Sequence, residues 1–589
     1  VIPKGYVTGH RDVVTLEASG PSMVGLVDTV EAMAAVRPET WLFAHNLGFD
    51  LAVSALPERL VEDGWAMPAY WIGDESTWAV FKKDGRRLVC TDSWSWLSAP
   101  LAEIAHRLKS KKRPLPANDG TPADWAARCR TDVDILLRAL LELMGWWDTN
   151  DLGRFGITGA GCGWAAARHR MRPKSILVGP DPERNSFERQ AIYGGRREAF
   201  TVGAVKRALF SDFDLVAAYP TVAATLNLPR RPVRRFADLR ADHPWIGAQS
   251  VGIIARAVIG TDTPCIPCRI GGEVWWPVGT FPTTLAGPEI ALALELGAKV
   301  EIGPGWCYDL GDGLKPWAQW IVELQDPDNT AVPPLVKMMA KGWGRSVLGR
   351  FASRTSREIL RRPATAPGWS LEHGRHQESG SPLDILTIGG EERWLLQDQE
   401  GRDSLPALFA WVESACRAAL TRIILSRPAG SVLQCDTDGW LEREAYRRQP
   451  DIMPEAPWPH RVARKGRYSS VQIIGPTHLE LDKASRWAGV SQEREPTDSG
   501  AFSWWDWPGL RWQLQHAEHG TYQRQKRETR VHYDVVKRWV FRDGTTQPVS
   551  ARLGPDGEAE LVLDPDVAWN HLQGRLAGEQ HPRLAALLD

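Results

Sequence analysis

Apolar residues recur at helical spacing over 22–37, SMVGLVDTVEAMAAVR, and a buried-looking run, WLFAHN, follows at 41–46, so the pattern predicts a helix and then a strand. AVFKKDG and RLVCTDSW read as two strands joined by a Lys-Lys-Asp-Gly hairpin turn. Residues 123–147 carry a long helical pattern with Asp132 and Asp134 near its start. Strands flanked by helices, with acids at strand ends and helix starts, predict an α/β unit over 1–145. The pattern loosens over 146–200, where ITGAGCGW and YGGRREAF are rich in glycine, and strand-like sequence punctuated by Gly and Pro occupies 201–325. A helix is predicted over 333–350, hairpins to about 400, a helix over 404–427 and a strand pair around 436–438, before a mixed tail. No internal repeat or low-complexity tract interrupts this order.

At 589 residues the chain is too long for a single core, and its length suggests roughly three to five structural units. A net charge of -1 gives no overall excess for gripping phosphates, so any nucleic-acid surface has to be local. One local excess exists: RQKRETRVHYDVVKRWVFR, from Arg524 to Arg542, is basic with interleaved aromatics, and reads either as a solvated face or as a grip on a duplex backbone. The eight cysteines are scattered, which disfavours a disulfide framework, and Cys265-Ile-Pro-Cys268 has no second pair at zinc-site distance. The 29 tryptophans suit base stacking in part, but most are expected in cores and between domains. The opening VIPKGYVTGHRD lacks an apolar signal core and no apolar run approaches a membrane span, so a cytoplasmic protein is expected. Arginine's excess over lysine hints at a GC-rich genome.

Two distant segments carry carboxylates in strand-like contexts. SDFDLVAAYPT places Asp214 at a strand end, and VLQCDTDGW places Asp436 and Asp438 at a hairpin tip. Neighbouring acids are costly unless cations neutralise them. A lone Asp-Thr-Asp-Gly is more often a solvated turn, but between the two segments lies KMMAKGWGRSVLGRF. There Lys337, Lys341 and Arg345 recur every fourth residue and share one face of a helix. Their mutual repulsion would be relieved by an anionic ligand, and Gly342 and Gly344 would let backbone approach it; a solvated cationic face is the plainer alternative. Acid, base and acid in this order suit nucleotidyl transfer, in which two divalent ions are held by carboxylates and a cationic helix faces a triphosphate.

These residues resemble family B DNA polymerases. DLVAAYP is similar to that family's first palm motif, D-x-x-S-L-Y-P; KGWGRSVLG to its fingers motif, K-x-x-x-N-S-x-Y-G; and CDTDG to its D-T-D hairpin, all in the family's order. YGGRREAF resembles the Y-x-G-G signature joining exonuclease and polymerase domains, and with AHNLGFDL and the insert-sized stretch between the first two motifs it points to the protein-primed phage and plasmid branch. The resemblance implies a multidomain α/β and α+β chain: an RNase H-like 3′–5′ exonuclease domain followed by a right-hand polymerase of palm, fingers and thumb. The implied divisions are 1–145 exonuclease-like, 146–200 connecting, 201–325 first palm part with insertion, 326–360 fingers, 361–490 second palm part and 491–589 thumb.

By the same resemblance Asp214 and Asp438 are the metal ligands, with Asp436 their catalytic neighbour, binding two Mg²⁺ or Mn²⁺ ions. Tyr219 selects the sugar, and Lys341, with Lys337 and Arg345, meets the nucleotide. Tyr193, Gly194, Gly195, Gly349 and Arg350 are implied to contact template and primer, with Lys483 and Trp487 standing for a lysine–aromatic primer grip. Four departures, Arg345 for Asn, Leu348 for Tyr, Ala217-Ala218 for Ser-Leu and Gly439 for Ser, leave the metal carboxylates in place, and Arg345 and Leu348, which by the resemblance sit where the nascent pair is checked, bear on fidelity and nucleotide affinity.

In the first unit, Asn46, Phe49 and Asp50 resemble the second exonuclease motif, N-x-x-x-F-D; Asp92-Ser93 continues the match, and RCRTDVDIL resembles the third, with Asp132 as ligand and Arg128 in the tyrosine position. The first motif, Asp-x-Glu, has only Thr15-Leu16-Glu17 as a candidate, so either it has decayed or the chain begins downstream of it. Proofreading is therefore expected to be weak or absent. The leading expectation is a DNA-directed DNA polymerase acting on primer-template DNA and dNTPs in a bacterial or phage-infected cell, with a terminal protein as an alternative primer. A nuclease with a relic polymerase half and a non-catalytic nucleic-acid-binding protein are the alternatives.

Overall fold

The structure is a computed structural model that describes residues 2–3, 23–73, 76–116, 120–171, 181–205, 208–365, 368–444, 461–482, 484–497, 501–516, 522–529, 536–541 and 543–562. The N-terminal unit is built on a five-stranded sheet in the order Ile2–Pro3, Glu39–Ala44, Arg86–Asp92, Thr77–Lys83, Ala66–Ile72. Glu39–Ala44 and Arg86–Asp92 run parallel at its centre, and the last three strands are antiparallel. The hairpin turns at Asp84 and Gly85, both at positive φ (49° and 75°), which an Asp-Gly pair adopts readily. The helix Met23–Ala35 and the long helix Pro122–Thr149 occur where helical spacing predicted them. The second is fixed at its start by a capping box, in which Thr121 and Asp124 satisfy each other's backbone N–H groups.

A second five-stranded sheet, antiparallel throughout, has the order Val462–Tyr468, Phe210–Leu215, Gly439–Arg443, Val432–Thr437, Arg196–Ala199. Phe213 and Leu215 face a large core shared with the helices Ala218–Thr225, Pro334–Arg350 and Pro406–Ser426, whereas Phe210 joins a smaller core with Leu441, Tyr468 and Ile473. With both faces covered, the carboxylates at the sheet's end are held by a rigid base. Trp343 of the 334–350 helix packs on Trp146, Trp147 and Trp320, coupling that helix to the long N-terminal helix. Cys265 and Cys268 are buried thiols in an apolar core.

Two sheets depart from the expected divisions. Arg354–Pro363, Glu391–Glu400, Pro382–Ile388 and Ser370–Arg375 form a four-stranded sheet of their own, so a boundary at 361 falls inside a strand. Its apolar side (Trp369, Leu371, Leu386, Ile388) shares a core with Leu56, Leu60 and Met67 of the N-terminal unit. The strands Ser550–Leu553 and Ala559–Val562 extend a six-stranded sheet with Leu228–Phe236, Val251–Thr261, Val278–Ala286 and Lys299–Gly311. The chain thus returns to the insertion instead of keeping 491–589 as one separate region. Among the described residues no helix is long and apolar enough to cross a membrane.

Candidate active site

Asp214 lies at the end of the Phe210–Leu215 strand, opposite Gly439 on one side and Ala463 on the other. Asp438 immediately precedes Gly439, so the two carboxylates meet one ladder step apart. The hairpin tip is tighter than a four-residue turn. The Asp438 N–H donates to the Asp436 carbonyl at 2.8 Å across Thr437 at φ 63°, a γ-turn of the strained hand. A β-branched residue at positive φ costs roughly 1–3 kcal/mol and persists only where its surroundings enforce it. Here the Thr437 hydroxyl donates to Asp436 at 3.0 Å, Arg197 pairs with Asp436 at 3.0 Å, and the Leu215 N–H donates to the Asp438 carbonyl at 2.8 Å.

The two acids of the hairpin tip have different partners: Asp438 faces Asp214, while Asp436 is tied to Arg197. Gly439 has a steric reason, since a Cβ there would lie 2.8 Å from the Phe213 carbonyl oxygen and 3.0 Å from Asp214 Oδ1. Burial raises the Asp214 carboxyl, against the opposing pull of Lys465, 2.8 Å away, and of Lys341. Burial and the Asp214 charge push Asp438 up to about 7, again against Lys465 and Lys341. Two half-buried carboxylates that resist joint ionisation form a hard-oxygen pair suited to divalent cations. Among the described residues no group of three or more His, Cys, Asp or Glu side chains is placed to hold a metal.

Lys337, Lys341 and Arg345 share a stripe of the Pro334–Arg350 helix but not a task. Lys341 acts electrostatically on both aspartates. Lys337 donates to the Asp326 and Pro327 carbonyls at 2.8 and 3.2 Å, binding its helix to the end of Lys315–Gln325. Arg345 is exposed, and Leu348 is fully buried. Arg350 pairs with Asp403 at 2.6 Å and stacks on Trp164, while Gly349 and Gly342 face open space. Gly344 serves packing, since a Cβ there would lie 2.8 Å from Pro220 Cγ. That contact seats the 218–225 helix, whose first turn carries Tyr219 against Phe409 at a ring separation of 6.0 Å. Burial holds the Tyr219 hydroxyl protonated.

Tyr193, Gly194 and Gly195 form the back of the hairpin. Tyr193 donates to the Thr284 carbonyl at 3.0 Å and lies under Arg269 and Arg417. Gly194 donates to Glu413 at 3.1 Å and accepts from Arg417 at 2.7 Å; a Cβ on Gly195 would lie 2.6 Å from Thr437 Cα. Arg417 is itself buried in a two-pronged pair with Glu289, at 2.8 Å for both bonds. Lys465, Arg197, Glu289, Glu413 and Arg417 were not singled out from the sequence. Two of them left a signal there: Lys465 in the basic strand sequence Arg464-Lys465-Gly466-Arg467, and Arg197 within YGGRREAF.

No family model and no curated protein matches the sequence. Solved structures do. Phi29 DNA polymerase complexed with primer-template DNA and incoming nucleotides matches with a TM-score of 0.58 at 16% identity, over 86% of this chain and 93% of that one. The same enzyme complexed with single-stranded DNA matches with a TM-score of 0.55, also at 16% identity, over 79% and 86%. The fold is that of phi29 DNA polymerase. The resemblance to family B DNA polymerases carried by the short motifs is thus present in the tertiary structure as well.

The acids of the N-terminal unit differ in their surroundings. Asp92 accepts from the Asn46 and Leu47 N–H groups at 3.0 and 3.1 Å and from Trp94 at 2.9 Å, so it anchors the start of the Leu47–Ser54 helix. Asp50 is exposed at the surface; desolvation by the surrounding protein and the Asp92 charge push its carboxyl up to about 6. Phe49 is exposed, its ring 5.3 Å from Tyr522. Asp132 pairs with Arg128 at 3.2 Å and faces Lys112 at 3.8 Å, so cationic side chains stand beside this carboxylate. Thr15-Leu16-Glu17 and Lys483 lie outside the described residues.

Two expectations are corrected. Trp487 is buried, packed on Phe502 and His478 with Arg494 stacked on it at 4.0 Å, which removes it from a primer grip. In the basic tail, Arg538 is only 7% exposed and pairs with Glu198 at 2.6 Å, while Lys537 pairs with Glu273 at 2.5 Å. Neither presents a free charge to a duplex.

Proposed function

We propose that this chain is a template-directed DNA polymerase that adds dNTPs to a primer 3′-hydroxyl. The observation that carries the reading is the convergence of Asp214 and Asp438 opposite Lys341 and Lys465, with Tyr219 beside them, on a polymerase fold. In the reaction the 3′-oxygen bonds to the α-phosphorus, the bond to the β-phosphate oxygen breaks, and pyrophosphate leaves as the hydroxyl proton is lost. Asp214 and Asp438 would hold two Mg²⁺ or Mn²⁺ ions, which when bound supply Lewis-acid activation of the hydroxyl and charge neutralisation at the leaving group. Lys341 binds triphosphate oxygens, and Lys465 faces the primer terminus beside Asp214. Tyr219 excludes a ribose 2′-hydroxyl by bulk. Asp436, Arg197 and the Tyr193-Gly194-Gly195 segment position Asp438 without touching substrate.

Arg345 and Gly342, open on the helix surface, line the nucleotide's approach, while Gly349 and Arg350 lie toward the template. Proofreading is proposed to be weak or absent, because Asp132 is engaged by Arg128 and Lys112 and Asp92 by three backbone N–H groups. The partners are primer-template DNA and dNTPs, with a terminal protein as an alternative primer in the protein-primed manner.

Extension of a labelled primer with Mg²⁺ or Mn²⁺ tests the reading. Elongation is expected for the wild type and not for Asp438→Ala, and a wild type that does not elongate with any dNTP overturns the proposal. Shortening of the primer without dNTPs, lost in Asp50→Ala, would overturn the proofreading part alone.

A further inference from the structure

Among the described residues four tryptophans are exposed: Trp71, Trp125, Trp505 and Trp507. Trp505 and Trp507 are 57% and 55% exposed, the highest values for tryptophan among the described residues. Trp505 is on the strand Phe502–Asp506, and the neighbouring Trp504 points inward. The cross-strand neighbour of Trp505 is Lys526, on Gln525–Thr529, and both are exposed. Arg524 lies two residues before Lys526, on the same side of the strand. Its guanidinium is 5.1 Å from the Trp505 ring and 5.6 Å from the Trp507 ring. On that side Arg524 and Lys526 outnumber Glu528, while Arg527 is paired with Asp506 at 2.8 Å.

The aromatic run continues beyond this sheet. Trp507 is 6.0 Å from Tyr522, and Tyr522 is 5.3 Å from Phe49, one residue from Asp50 in the N-terminal unit. Single exposed apolar side chains are common, whereas clustered exposed rings mark interaction sites. Rings at successive positions with cations among them suit unpaired nucleotides, whose bases stack on indole while phosphates meet Arg and Lys. A duplex hides its base faces and gains only the charge.

We propose that Trp505, Trp507 and Tyr522, with Arg524 and Lys526, form a stacking platform for single-stranded DNA that leads toward Phe49. The platform rests on the reading of the chain as a DNA polymerase for its ligand, and it extends that reading to residues outside the Asp214 and Asp438 site.

The test is fluorescence anisotropy of a labelled oligo-dT and of a blunt duplex, both without dNTPs, using the full-length chain. Trp505→Ala and Trp507→Ala are each expected to weaken oligo-dT binding by about tenfold, with a smaller effect on the duplex. Trp505→Phe keeps a stacking ring and should restore most of the affinity, which a merely unfolded Trp505→Ala would not explain. Arg524→Ala should flatten the plot of log affinity against log salt for oligo-dT by about 0.7. Asp438→Ala should bind oligo-dT like the wild type even though it cannot elongate, so failure of the polymerase reading and failure of the platform are told apart. Equal oligo-dT affinity in wild type and both alanine variants overturns the platform, as does equal weakening for duplex and single strand. Retained oligo-dT binding with loss of a protein primer's binding would assign the two indoles to a protein partner and likewise overturn it.

Discussion

Gly195 and Thr437 show how the site depends on atoms that carry no chemistry. Thr437 is held at positive φ, and a Cβ on Gly195 would fall within 2.6 Å of its Cα and of its Cγ2. Backbone on both sides has to move if Gly195 gains a methyl group, and Asp438 moves with it. Gly195→Ala should therefore lower the elongation rate by about a hundredfold, the scale of a misplacement near 1 Å, while binding of primer-template changes little. Single-turnover elongation against anisotropy checks this, and equal losses in both would show that the segment touches DNA directly. The Tyr193-Gly194-Gly195 resemblance was legible in the sequence; its partner Thr437, 242 positions away (437 − 195), was not.

At the scale of elements, the helix Pro182–Arg189 fastens the inserted four-stranded sheet to the rest of the polymerase fold. Arg189 binds both oxygens of Glu400 at 2.9 and 2.8 Å and reaches the Ala352 carbonyl at 2.5 Å, while Asn185 and Ser404 complete the Glu400 site. Burial alone would raise the Glu400 carboxyl, but hydrogen bonds from Arg189 and Ser404 and the Arg189 charge outweigh it and hold it down to about 2. Because the folded-state value lies below the ordinary one, this stabilisation is complete above about pH 4.5 and is lost as pH falls toward 2. Glu400→Gln should cost about 3 kcal/mol at pH 7 and nearly nothing at pH 2. Urea unfolding at a series of pH values reads the difference, and a loss that does not depend on pH would place the interaction elsewhere. The helices at 334–350 and 406–426 were readable because apolar spacing over many residues is a local signal. The sheet at 354–400 was readable only as hairpins, since its packing on the N-terminal unit is a long-range contact.

Across the whole molecule, charge that looks solvent-facing in sequence has been drawn into the interior. Arg538 pairs with Glu198, which also holds Arg196, and the three are nearly inaccessible. Arg538→Ala should destabilise the protein by roughly 3 kcal/mol, the low end for breaking a buried pair because Arg196 still faces Glu198, and should leave the salt dependence of duplex binding unchanged. Lys537→Ala removes an ion pair with an exposed Glu273 and should shift stability by less than about 1 kcal/mol. A flattened salt slope in either variant would return this segment to the DNA interface. By itself the sequence determined what is local: the helices and hairpins, and the two palm-like carboxylate segments with a cationic helix between them. Tertiary structure alone decided which charges meet. It set Lys465 beside Asp214, gave Asp436 to Arg197, buried Trp487 and Arg538, and left Trp505 and Trp507 in water. The physical reason is that a pairing between distant charges depends on the few ångströms and the local dielectric that packing sets, and residue type and spacing along the chain encode neither.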